Sequence, residues 1–213
     1  MILKRILILV LLTGCIGASE FDKAMDEYNK GNFVQALNGF YVLAKSGDAE
    51  AQFNVGVIYE YGKGVKSDMP QAMEWYEKSA KAGNANAAYN LAQMYVNMDE
   101  SNPQRYERAI HWYTVAGEKG VAQANNNLAV LYQKGEGVKE NRKKAFIYFK
   151  KAAEGGSPSG QLNVALIYGW GPNIIKDTQK AYLYLNKAKA AGKNEAEKYI
   201  TKLCKEEPNA CKN

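Results

Sequence analysis

Histidine occurs once in this sequence, at His111, and cysteine three times, at Cys15, Cys204 and Cys211. One imidazole cannot build a multi-histidine metal centre. Two cysteines near the C-terminus, with no histidine or further cysteine beside them, supply too few ligands for zinc. Hydrolase signatures are missing as well. A serine β-lactamase needs a lysine three residues after its nucleophile, but Ser46, Ser67, Ser79 and Ser101 are followed at that distance by Ala49, Pro70, Ala82 and Gln104. Neither Lys-Thr-Gly nor His-Glu-x-x-His occurs. The Gly-x-Gly turns lack the Gly-Lys-Ser/Thr that a phosphate loop requires, and they follow helical stretches, not strands. No cofactor or metal is expected. A long apolar run is also absent: Ile6 to Leu12 is too short to span a bilayer, which takes about 20 residues of helix.

That short run, with Lys4 and Arg5 before it, has the form of an export signal and is set aside from the fold. Leu12-Thr13-Gly14-Cys15 resembles a bacterial lipobox. The resemblance implies that residues 1–14 are removed and that Cys15 becomes the lipid-bearing first residue. The alternative is an ordinary signal peptide cut after Ala18 or Ser19, with Cys15 discarded. Ile16 follows the cysteine, where an aspartate would favour inner-membrane retention by the enterobacterial sorting rule, so the outer membrane is expected. Cys204 and Cys211 then remain as a pair flanking a segment in which Pro208 should break a helix and let the chain turn back. They form a disulfide that protects the chain end in an oxidising compartment, or they are two free thiols on a frayed tail.

Loss of Lys4 and Arg5 takes the formal charge from +6 to +4. Residues 20–60 are acidic on balance and residues 134–151 are basic. Such runs are ordinarily solvated helix faces. A periplasmic destination argues against nucleic acid and leaves an acidic protein or anionic lipid as a partner for the basic region.

What the chain does contain is a motif that returns four times at a spacing of 36 to 37 residues: Asn54-Val55-Gly56 with Tyr59, Asn90-Leu91-Ala92 with Tyr95, Asn127-Leu128-Ala129 with Tyr132, and Asn163-Val164-Ala165 with Tyr168. A period of this length marks stacked helical repeats. Each copy reads as two helices. In the first, Ala49 and Ala51 open helix A, Gly62-Lys63-Gly64-Val65 ends it and turns the chain, Asp68 caps helix B with Pro70 in its first turn, and Ala72, Trp75, Tyr76 and Ala80 form the buried stripe before Gly83. The third copy repeats the turn as Gly135-Glu136-Gly137-Val138, whereas the second has Asn97 to Pro103 there and the fourth has Gly171-Pro172-Asn173-Ile174. Tyr59, Tyr95, Tyr132, Trp75 and Trp112 read as core.

The opening alanines, the Leu/Val-Gly/Ala pair, the tyrosine, Gly-x-Gly-Val, the aspartate and the aromatic pair on helix B together resemble the Sel1-like repeat family over about residues 49–192. The resemblance implies an all-α, right-handed α-solenoid of antiparallel helix pairs, related to tetratricopeptide repeats. With a tetratricopeptide-style pair in front and a last helix behind, it would hold about eleven helices. The expected divisions are a signal segment at 1–14, an anchored linker at 15–19, an N-terminal helix pair at 20–48, repeats at 49–84, 85–121, 122–156 and 157–192, and a capping helix with a tail at 193–213.

Four asparagines in a row, Asn54, Asn90, Asn127 and Asn163, could grip the backbone of an extended peptide, since an amide both donates and accepts. Equally, they could bond neighbouring turns and hold the repeats in register. One helical turn earlier stand Glu50, Asn86, Gln123 and Ser159, whose variability suits selectivity. These eight residues are the candidate protein-binding positions on the concave face. His111 falls where the other copies have Glu74, Ile147 and Leu183, and reads as a lone surface or half-buried residue. The expected function is a non-catalytic interaction module, lipid-anchored on the periplasmic side of the envelope, that binds a protein or peptide. Two other readings come with the resemblance: an immunity lipoprotein that blocks a secreted toxin, and a β-lactam-binding or hydrolysing protein, which the missing motifs disfavour.

Overall fold

The structure, a computed structural model, describes residues 20–99, 102, 104–172 and 176–212. These residues are helical throughout, with no strand among them. Helix α1 covers residues 20–29. It is followed by α2 (Phe33–Lys45), α3 (Ala49–Tyr61), α4 (Met69–Lys81), α5 (Ala85–Val96), α6 (Arg105–Glu118), α7 (Ala122–Lys134), α8 (Arg142–Glu154), α9 (Pro158–Trp170), α10 (Thr178–Ala190) and α11 (Ala196–Glu206), then a 3-10 turn at Pro208–Cys211. They form two compact units, residues 20–91 and 92–212, and α5 runs across the division.

In the first unit α3 and α4 begin where a side chain takes up a free backbone N–H group. Asp48 accepts from the Ala51 amide at 2.7 Å, and Asp68 from the Gln71 amide at 3.0 Å with Pro70 beside it. α3 packs along α2 on one side and α4 on the other. The core between them holds Ala36, Phe40, Ala44, Ala51, Val55, Ile58 and Trp75, all buried, and Val65 from the turn packs against it. Small residues set the spacing: Ala36 and Ala51 are fully buried and let the helix backbones come close.

The second unit repeats this construction. Asn141 caps α8, Ser157 caps α9 and Asp177 caps α10. α7 pairs with α8 and α9 with α10, while α9 also packs on α7 and α8. One cluster joins Ala129, Ala145, Phe149, Ala153 and Val164; another joins Leu162, Ala165, Leu185, Ala188, Ala196 and Leu203. α11 covers the open side of α10. The chain then turns at Pro208, and Cys204 and Cys211 are joined by a disulfide.

The second glycine of the Gly-x-Gly turn has a structural reason in both units. Gly64 (φ 72°) and Gly137 (φ 72°) sit in the left-handed region, where only glycine is at ease. Each also lies against the start of the preceding helix B. A β-carbon on Gly64 would fall 2.8 Å from the Phe33 β-carbon, and one on Gly137 would run into Tyr106.

Candidate functional site

The repeating asparagines lie on the second turn of each helix A, and the structure gives each a partner. Asn54 is buried and donates from Nδ2 to the Glu50 carbonyl in its own helix, at 2.9 Å. Asn90 bonds the Tyr76 hydroxyl, which itself donates to Glu60 Oε2 at 2.5 Å. Burial first, and then that carboxylate, push the Tyr76 phenol far above its ordinary range; the Asn90 contact pulls weakly the other way.

Asn127 is the hub of a larger network. Its Nδ2 donates to Gln93 Oε1 and to the Tyr113 hydroxyl, both at 3.2 Å, while Tyr113 itself donates to Gln93. Its Oδ1 accepts from Gln123 Nε2 at 3.0 Å and from Asn126 Nδ2 at 3.3 Å. Gln123 in turn accepts from the Ser157 hydroxyl at 3.0 Å, and Asn126 accepts from Asn163 Nδ2 at 3.0 Å.

A rule emerges from these partners. The helix-B tyrosine of one repeat bonds the helix-A asparagine of the next, as Tyr76 does with Asn90 and Tyr113 with Asn127. The third copy has Phe149 in place of that tyrosine, so no hydroxyl is available there. Asn163 reaches back to Asn126 instead.

The residues one turn earlier are more open. Glu50 and Asn86 are exposed, and Gln123 and Ser159 are half-buried. Glu50 also accepts from Asn84 Nδ2 at 2.8 Å, while Asn84 caps α5 through the Ala87 amide. Trp75, Tyr95 and Trp112 are buried, Tyr59 and Tyr132 are half-buried, and His111 is exposed beside Trp112. Cys15 lies outside the described residues. Among those residues, no helix is long and apolar enough to cross a membrane, and no group of three or more acidic, histidine or cysteine side chains could hold a metal ion.

The family pattern called Sel1 repeat matches residues 49–84, 85–121, 122–157 and 158–193. The chain belongs to the Sel1 repeat family. Solved Sel1 structures are similar to it. A Sel1 repeat protein from Oxalobacter formigenes is 27% identical with a TM-score of 0.76, over 85% of this chain and 74% of that one. The c5321 protein, a protective antigen present in uropathogenic Escherichia coli strains, is 24% identical with a TM-score of 0.70 over 91% of this chain, which spans 47% of that protein. A sel1 repeat protein from Klebsiella pneumoniae subsp. pneumoniae is 20% identical with a TM-score of 0.50, over 88% of this chain and 92% of that one. A search of curated proteins finds no match to the sequence. Sel1 repeat proteins are generally protein-interaction modules, and the fold is typically non-catalytic.

Within these Sel1 repeats a second set of amides escaped the sequence reading. Gln52, Asn125 and Gln161 stand two residues before the repeating asparagine in three of the four copies, with Ala88 in the other. All three are buried. Gln52 Nε2 donates to the Ala44 carbonyl at 3.0 Å and Asn125 Nδ2 to the Gly117 carbonyl at 3.3 Å. Each ties off a carbonyl near the end of the preceding helix, where backbone acceptors have no partner within the helix. The signal was present, a recurring amide at a fixed offset in a buried stripe, but its partner is a backbone atom and leaves no mark in the sequence.

Proposed function

We propose that this Sel1 repeat chain is a non-catalytic interaction module, held by lipid on Cys15 at the periplasmic side of the outer membrane. It binds a protein or peptide through the helix-A positions Glu50, Asn86, Gln123 and Ser159, together with the asparagines beside them. The observation that carries this reading is the layering of helix A. Repeat-to-repeat bonds through Asn90 and Asn127 fix the helices, while the polar side chains one turn earlier reach solvent. A surface held rigid before contact loses less freedom on binding, which favours affinity. Repeat proteins recognise partners through such surfaces, and differences between copies supply the selectivity.

The test is crosslinking of the tagged full chain in its native envelope, with mass spectrometry of what co-purifies. One dominant protein partner is expected, and it should be lost from the Asn86→Arg, Ser159→Arg double variant at unchanged melting temperature. The partner's identity separates a scaffold role from toxin immunity. Fractionation of Cys15→Ala checks the anchor: the variant should leave the membrane for the soluble periplasm. Unchanged fractionation would sink the lipid anchor, and nitrocefin turnover by pure protein would sink the non-catalytic reading.

A further inference from the structure

The outward sides of the helix-B segments differ in a way that packing does not require. Glu74, His111, Ile147 and Leu183 occupy equivalent positions in the four copies. Ile147 stands two residues from Ala145 and Phe149, and Leu183 two residues from Ala181 and Leu185, all of them buried. Two residues are about half a helical turn, so Ile147 and Leu183 point away from the core, and they are 53% and 50% exposed. Glutamate and histidine serve at the same position in α4 and α6, so the repeat itself needs no apolar side chain there.

Charge follows the same division. α4 balances itself, with Lys78 on Glu74 at 2.7 Å and Lys81 on Glu77 at 2.6 Å. α8 carries Arg142, Lys143, Lys144, Lys150 and Lys151 against Glu154 alone, and α10 carries Lys180, Lys187 and Lys189 with no acid. Aromatic rings seat four of these lysines. Tyr132 and Tyr148 stack, with Lys144 over the first and Lys151 over the second; Tyr168 and Tyr184 stack in turn, beneath Lys180 and Lys187. The lysine stems can lie along the rings and keep the ammonium groups in water. Lys151 and Lys187 meet no carboxylate among the described residues. Tyr168 also meets Phe146 edge-on at 5.4 Å, so α9 ties α8 and α10 into one surface. Lysines around exposed aliphatic side chains, with tyrosines at their feet, are the composition of a face that lies in a lipid interface.

We propose that the outward side of α8 and α10 rests on an anionic phospholipid surface, with the lysines on headgroup phosphates and with Ile147 and Leu183 entering between the headgroups. The inference rests on the reading of the chain as membrane-anchored and deepens it: the anchor holds the chain, and this face orients the second unit. The contact is weak and reversible, because only two aliphatic side chains enter the lipid, and it leaves the helix-A positions to the protein partner.

The test is cosedimentation of the purified full chain, carrying Cys15→Ala so that no lipid is attached, with vesicles of equimolar phosphatidylcholine and phosphatidylglycerol. Residues 1–14 are common to every variant, so differences between variants report the second unit. Lys151→Glu with Lys187→Glu should bind at least about tenfold more weakly at an unchanged thermal melt. Lys66→Glu with Lys81→Glu, an equal change in net charge elsewhere, should leave binding unaltered. Ile147→Ser with Leu183→Ser should weaken it about fivefold, again without moving the melt. Vesicles of phosphatidylcholine alone should bind at least about tenfold more weakly than the mixed ones, and millimolar inorganic phosphate at fixed ionic strength should displace nothing. No binding to the mixed vesicles, equal losses from the two lysine pairs, an unaffected serine pair or displacement by phosphate overturns the proposal. Failure on vesicles while crosslinks from α8 and α10 reach an acidic protein gives the face to that partner instead. A chain that is anchored through Cys15 and captures an envelope partner, yet ignores vesicles, loses this inference and keeps the preceding one.

Discussion

The first and third repeats share a turn, a cap and a packing code, yet the same asparagine makes different contacts in each. Asn54 closes a bond to its own helix backbone. Asn127 joins side chains from α5, α6 and α7 in one network. The turn glycines, by contrast, match closely: Gly62 and Gly135 have φ of 64° and 76°, and Gly64 and Gly137 both have 72°. Positions that satisfy backbone geometry keep their role from copy to copy. Polar side chains take their role from whatever the neighbouring repeat offers.

The largest test of that contrast is Gly137→Ala. A side chain there meets both a left-handed backbone and Tyr106, so a loss of about 3 kcal/mol is expected in chemical denaturation. Gly120→Ala is its control, with a positive φ of 94° but open space around it; it should cost only about 1 kcal/mol. Equal losses would mean that the packing contact adds nothing.

Next comes Asn127→Ala against Asn54→Ala. The first leaves Gln93, Tyr113 and Gln123 short of partners and should cost about 2–3 kcal/mol; the second removes one local bond and should cost about 1 kcal/mol or less. If the two variants melt together, the difference in their contacts has no energetic meaning.

Tyr113→Phe against Tyr76→Phe is finer. Tyr113 is buried within the amide network, while Glu60, the partner of Tyr76, is half-exposed and can return to water. About 1–2 kcal/mol is expected for Tyr113 and roughly 1 kcal/mol for Tyr76.

The smallest effect under ordinary conditions is a pH effect at Tyr76. Its phenol is raised in the folded chain above an ordinary value of 10.0. The unfolded chain therefore gives up that proton first as pH climbs. Tyr76 contributes its full stability below pH 10 and loses it progressively above. The melting temperature of Tyr76→Phe should accordingly fall less steeply than that of the unaltered chain above pH 10, with parallel curves below it.

Much of the fold was legible because its signals are local. Asp68, the turn glycines and the small residues of each helix act within a few positions of themselves, and four copies made them visible. The pairing of Cys204 with Cys211 could be considered for the same reason, since they stand only seven positions apart. The candidate site was less legible because its bonds span whole repeats. Asn127 to Gln93, Ser157 to Gln123 and Asn163 to Asn126 join residues 34 to 37 apart. Nothing in the residues around Asn54 and Asn127 foretells that one bonds backbone and the other a network. The buried amides Gln52 and Asn125 pair with carbonyls of the preceding helix. Both depend on tertiary placement.

The Cys204–Cys211 bridge has a practical consequence for anyone who makes this protein. A chain produced in a reducing cytosol keeps both thiols, so α11 and the turn after it would lack their covalent staple. Closing a loop this short is worth about 2–3 kcal/mol by chain-entropy reasoning, and that support would be missing at the end of the stack. Material that keeps both thiols would be more open to fraying and proteolysis at its C-terminus than bridged material, and thiol counting on each batch would tell the two apart.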